Sequence, residues 1–329
     1  MTCGSGRAIF GVLLGTVYRG QTMIMPSERS LRLAHASLFA STVLWGASFI
    51  AMKIAVTAYG PMPVIWGRMA IASLIFMACS RSLRRVVFQL RDIWAILLMA
   101  LFEPCLYYLF EGYAMHYTTA SQAGTVSAIL PLTVAVGAHF MLAENIRASV
   151  VVGFLVSLAG VAVLSLGGSA TEDAPNPVLG NFLEFMAMVS ATGYMLLVKR
   201  LSARHSPWYL TAMQAVCGAV FFLPAFLWHA PEIPANFAWA PTLAVVFLGT
   251  IITVGAYGLY NYGMSILPAS QAAAYVNLIP VVAVALGWLM LGERFTTVQF
   301  LGAGLVFIGI YCSQGRGFTR RKVASQVKG

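Results

Sequence analysis

Glu103 stands in Phe102-Glu103-Pro104-Cys105-Leu106-Tyr107-Tyr108, a run with no other charge. A carboxyl group there can hold a cation, carry a proton or pair with a buried base. At mid-bilayer an ionised side chain costs at least ~2.5–3.5 kcal/mol on insertion scales, so a partner or a wet cavity is required. Pro104 removes a backbone donor and predicts a bend that frees a carbonyl. Tyr107 and Glu111 follow four and eight residues on, along roughly the same helical face. A Glu-Tyr-Glu stripe facing a bundle would make a polar wall suited to cations or amines. Arg68, in Trp66-Gly67-Arg68, could draw in a carboxylate, pair with Glu103 or snorkel to a headgroup. A gating or structural ion pair is the expectation for it.

Other polar residues are weaker candidates for the same binding surface. Glu111 is near a helix end and is as readily a solvated end as a ligand. Glu184, preceded by Asn181, is deeper, and either it or Glu103 is a candidate to take up and release a proton. Gln122 and Gln271 begin equivalent spans, where they would line a cavity or cap a helix break. Pro131 and Pro280 predict bends, with Tyr275 and Asn277 beside the second. Tyr257 and Asn261 share a face at i, i+4, and Trp45, mid-span, could stack on an aromatic or cationic solute. Lys53 and Lys199 each close the first span of a half and read as snorkelling anchors. Glu144 and Glu293 end spans near water and are expected to be structural.

Metal, cofactor and catalytic chemistry find no footing. The five cysteines form no CxxC pair. The five histidines fall on different segments, of which only that of His139 reads as deep. No HExxH, GxSxG or paired-aspartate motif occurs.

The elements that must position these residues are apolar spans. Hydrophobic residues make up 60% of the chain and charged ones 9%, with a mean hydropathy of +0.82. Soluble chains carry roughly 25% charge. Ten spans are predicted, at 34–57, 62–80, 91–113, 119–142, 148–167, 178–198, 207–229, 240–263, 269–291 and 297–315, most near the ~20 residues a bilayer needs. The net charge of +10 does not indicate nucleic acid, because the basic residues flank spans. Arg29, Arg32, Arg81, Arg84, Arg85, Arg91, Arg147, Lys199, Arg200, Arg204 and the tail from Arg316 to Lys328 fall on one side. Glu172, Asp173, Glu232 and Arg294 fall on the other. The positive-inside rule then makes both termini cytoplasmic. Residues 1–33 are an extension of uncertain status. They are expected to reflect an over-called start, with Met23 or Met25 as initiator, or else a short tether on the membrane.

The chain also repeats itself at a spacing of 149 residues. YAMHYTTASQA at 113–123 returns as YGMSILPASQA at 262–272, Pro131 returns as Pro280, Glu144 as Glu293, and Gly153 and Gly160 as Gly302 and Gly309. Over the 48 positions from 113 to 160 there are 12 identities, five of them at Gly, Pro, Gln or Glu. Five spans per copy is odd, so the second copy enters the membrane from the opposite side. The fold expected is an all-α polytopic membrane protein of ten transmembrane helices in two inverted five-helix repeats. Its units are the extension 1–33, repeats 34–167 and 178–315, and a basic tail 316–329. The small residues Gly153, Ser157, Gly160, Gly302, Gly304 and Gly309 would serve packing within the chain or a homodimer face.

Trp45-Gly46-Ala47-Ser48-Phe49, Arg68, the two Ala-Ser-Gln-Ala to Pro to Glu runs and the paired glycines together resemble the EamA family of the drug/metabolite transporter superfamily, over about 34–315. The resemblance implies a ten-helix carrier, usually in the bacterial inner membrane and often an exporter of amino acids, related metabolites or toxic compounds. Its partners would be a small-molecule substrate and the lipid bilayer, with proton coupling in prospect and no cofactor. Small four-helix relatives use a glutamate in their first helix; here span one holds no acid, so a coupling site must lie elsewhere. A lipid-carrier flippase and a membrane-embedded enzyme are the competing readings.

Overall fold

The computed structural model describes residues 27–79, 92–142, 148–229 and 238–314, and among these the chain is helical with no strand. Met23, Met25, Arg81, Arg84, Arg85, Arg91, Glu144, Arg147, Glu232 and the basic tail lie outside the described residues.

Ten helical spans follow in order. α1 is Glu28–Tyr59, α2 Pro61–Ala78, α3 Ile93–Tyr117, and α4 comprises Ala120–Ser127 and Leu130–Leu142. α5 is Ala148–Leu166, α6 Pro177–Leu201, α7 Pro207–His229 and α8 Trp239–Ile266. α9 runs as Ala269–Tyr275 and Ile279–Leu291 around a short turn at Val276–Leu278, and α10 is Thr297–Gln314. The first nine are long and apolar enough to cross a membrane, and the apolar part of α10, Thr297–Ser313, is somewhat shorter. α1 begins six residues before the expected span, because Ser27 caps it: its hydroxyl accepts the Ser30 N–H at 3.2 Å. Gly60, at φ +75, turns the chain between α1 and α2, where Pro61 opens the next helix without losing a bond.

The helices pair as a two-fold arrangement demands. α2 packs on α7, α4 on α9 and α5 on α10, while α1 with α8 is matched by α6 with α3. The inversion is visible at the α5–α10 crossing. A Cβ on Gly153 would meet the Gly309 carbonyl at 2.4 Å, and one on Gly160 the Gly302 carbonyl at 2.8 Å. Low-numbered residues of one helix thus meet high-numbered residues of the other. At the centre, Ser157 Oγ donates to the Val306 carbonyl at 3.0 Å, and these two positions are themselves 149 residues apart. The pseudo-two-fold axis runs through this crossing. Gly153, Ser157, Gly160, Gly302 and Gly309 are thus used in packing within the chain, whereas a Cβ at Gly304 would meet nothing within 4 Å.

Candidate functional site

α1, α2, α3, α6, α8 and α9 converge on one cavity in the middle of the bundle, with the inner turn of α4 beside them. Its volume is about 30 Å³, room for about two waters. The breaks in the helices sit around it. α3 loosens into a wide turn over Leu101–Leu106, and Glu103 has extended backbone at φ −149, ψ 116. Carbonyls released near Pro104 find side chains: Ser190 Oγ donates to Phe102 O at 2.7 Å and Gln214 Nε2 to Glu103 O at 3.3 Å. α8 carries a matching wide stretch at Leu248–Ala256 with no proline. In α4 and α9 the helix is interrupted just before Pro131 and Pro280 rather than at them.

Three of the expected residues on α3 reach the cavity together. Glu103, Tyr107 and Glu111 all line it. Glu103 is 3% exposed, with Tyr257 as its side-chain hydrogen-bond partner. Tyr107 donates its hydroxyl to Glu111 Oε1 at 2.9 Å. Arg68 does form an ion pair, but with Glu111 rather than Glu103: its guanidinium lies 3.5 Å from Glu111 Oε2, with both side chains buried. The same guanidinium sits 4.0 Å above the Tyr108 ring and donates from Nε to Thr253 Oγ1 at 3.3 Å. Glu111 is therefore no solvated helix end, and Arg68 does not snorkel.

Trp45 and Tyr257 line the same cavity, their rings 5.0 Å apart. The Trp45 indole N–H is buried without a hydrogen-bond partner. Asn261 is brought nearby but its amide is already used, accepting from Tyr194 at 2.6 Å and donating to Thr211 at 2.9 Å. It braces α6, α7 and α8 and is not among the lining residues. Gln122 is buried and accepts from Asn181 Nδ2 at 3.0 Å, whereas its repeat partner Gln271 is exposed, so neither lines the cavity. Asn277 lies in the α9 turn, half-buried, with an unpartnered Oδ1, next to the lining residue Val276. Glu184 is fully buried and is not among the lining residues. Tyr108, beneath the Arg68 guanidinium, and Tyr194, which lines the cavity, were not singled out from the sequence. The 149-residue spacing held a signal for the first, since it places Tyr108 opposite Tyr257.

Charged groups at the two ends of the bundle tie elements together. Lys53 is 5% exposed, and its ammonium donates to Met115 O at 2.8 Å, Thr118 O at 2.9 Å and the Asp173 carbonyl. Lys199 repeats this on the opposite side with Met264 O at 2.8 Å and Leu267 O at 2.6 Å. Neither is a snorkelling anchor; each satisfies the last carbonyls of a helix. Glu293 is structural as expected, holding the first two N–H groups of α4, Ala120 and Ser121, at 2.9 and 2.8 Å. Asp92 meets Arg204 and His205, both at 3.1 Å, so His205 is a buried histidine that the sequence reading did not single out.

Two inverted helical repeats around a small polar cavity define a multi-pass membrane protein built like a solute carrier. The EamA-like transporter family matches residues 32–166 and again 178–314, and the chain belongs to that family. It is 26% identical over 288 residues to the uncharacterized transporter YetK of Bacillus subtilis, covering 84% of this chain and 86% of that one. An uncharacterized transporter of Archaeoglobus fulgidus is 28% identical over 273 residues, covering 82% and 95%. A probable terminal-alkyne amino-acid exporter of Streptantibioticus cattleyicolor is 24% identical over 292 residues, covering 88% and 96%. A solved crystal structure shares the fold with a TM-score of 0.58 at 23% identity, covering 85% of this chain and 96% of that one.

Proposed function

We propose that the protein is a secondary active exporter of small amine-bearing or amphipathic metabolites, amino acids and related amines among them. It works by alternating access between repeats 34–167 and 178–315, coupled to protons, in a plasma membrane with both termini cytoplasmic. The observation that carries the substrate class is a charge imbalance. Glu103 and Glu111 line the cavity with a single guanidinium, that of Arg68. Glu111 is balanced by it; Glu103 calls for a proton or a cationic group. An ammonium entering beside Glu103 would restore neutrality, with the ring of Trp45 to stack on and Tyr257 to hold the carboxyl. The name of the Streptantibioticus relative, an amino-acid exporter, agrees with this class.

Counterflow in proteoliposomes tests it, with a panel of labelled amino acids and cationic amines and wild type beside Glu103→Gln. Saturable exchange that the mutant loses supports the reading. Exchange that persists keeps the carrier and removes Glu103 from the solute site. No exchange of any panel member would sink the proposed substrate class.

A further inference from the structure

The buried polar groups do not end at the cavity wall. On α6, residues 184, 188, 191 and 195 form one stripe, and Met188, Ala191 and Met195 line the cavity. Glu184 lies one turn, ~6 Å, beyond Met188. It is 0% exposed, and neither carboxyl oxygen has a hydrogen-bond partner among the described residues. The charged group acting on it is Glu111 of α3, and Tyr107 of the same helix feels both carboxyls. One turn further along α6, Asn181 is surrounded by uncharged groups from α4, α5 and the end of α3, namely Gln122, Ser165 and Thr118.

A packing role does not explain this residue. The large majority of buried polar side-chain atoms are hydrogen-bonded, as the amides of Asn181 and Asn261 in the same bundle are, whereas both oxygens of Glu184 are not. Nor can Glu184 share Arg68 on equal terms, because Glu111 already holds the guanidinium at 3.5 Å. A second ionised carboxylate interacting with Glu111, fully buried and with no cation of its own, is strongly disfavoured. What remains is a carboxyl whose charge changes with the state of its neighbours.

We propose that Glu184 is a coupling-proton site, distinct from the solute cavity and linked to it through Glu111. This rests on the transport reading above. The carboxylate takes one proton from water on the outer side as an O–H bond forms, and that bond breaks when the proton passes towards the cavity and the opposite side. Nothing else is exchanged. With Glu184 neutral, Arg68 and Glu111 stay paired; with it ionised, the two carboxylates repel and the pair is weakened, which connects proton occupancy to the cavity wall.

Two readouts test the proposal. The first needs no solute: infrared difference spectra of the full-length protein in detergent, taken across a rise in pH. Wild type should lose the carbonyl-stretch band of a buried carboxylic acid, and Glu184→Gln should lack that component; an unchanged difference spectrum in the mutant overturns the site. The second uses whichever panel amine exchanges. Glu184→Gln should keep solute counterflow yet show pH-gradient-driven accumulation no greater than empty liposomes, and Glu184→Asp should recover it. Accumulation at the wild-type rate in Glu184→Gln overturns the proposal, as does loss of counterflow in both variants, which would mark a packing residue. A panel with no exchanging member would sink the proposed substrate class while the infrared spectra still decide the proton site.

Discussion

Arg68 is held by three different kinds of interaction, a carboxylate, an aromatic face and a hydroxyl, and it is 2% exposed. Removing it strands the buried Glu111 without its counter-charge. Arg68→Gln should therefore cost about 3–5 kcal/mol, as for other broken buried pairs, read as a lowered melting midpoint in detergent. Arg68→Lys should rescue only part, because an ammonium cannot stack on Tyr108 and reach Thr253 together. If Glu111→Gln in the Arg68→Gln background regains no stability, the pairing is not what holds the arginine. Some of this was legible beforehand. An acid beside a proline in an apolar run marks itself, so Glu103 could be picked from the sequence. The partner of Arg68 could not, because pairing across spans depends on how each helix is rotated. Helices that are apolar on nearly every side carry little of that information.

At the scale of elements, proline proved a partial guide. Pro104 announced the loosened turn in α3, but the wide stretch in α8 has no proline to announce it. The repeat would have found it, since Leu248–Ala256 covers the positions 149 residues beyond Leu101–Leu106. There Thr253 Oγ1 donates to Leu248 O at 2.8 Å and takes over an acceptor that the regular helix would have used. Glu293 shows the same limit: its type and place suggested a helix end, but the end it caps belongs to α4, in the other repeat. Glu293→Ala leaves two N–H groups unpaired and should cost about 1–3 kcal/mol, whereas Glu293→Gln can restore one acceptor and should cost less. Equal losses in the two variants would show that the carboxylate is not acting as a cap.

For the whole molecule, the α5–α10 crossing fixes where the halves cannot separate. A Cβ at Gly302 would fall 2.4 Å from the Leu164 nitrogen and 2.9 Å from the Gly160 carbonyl, so Gly302→Ala forces backbones apart. We expect a loss of about 1–3 kcal/mol, with Gly304→Ala, which meets nothing within 4 Å, as the silent control. Orientation is checked separately by labelling single cysteines in intact cells. Glu172→Cys should react with an impermeant reagent from outside and a cysteine at Arg204 should not; the reverse pattern would invert the proposed topology. The lysines bear on how such a body moves. Lys53 fastens the end of α1 to the end of α3, and Lys199 fastens α6 to α8, each within its own half. Each half is thereby tied into a bracket, and the rocking that the proposed alternating access requires would occur where one bracket faces the other, along α1–α8 and α3–α6. Among the described residues the first bracket alone has an extra fastening, the Asp173 carbonyl in the strap that joins the halves. Under the alternating access proposed above, two otherwise matched doors would differ by one catch, and the side on which it stays closed would be the favoured resting side, although the halves were copied from one design.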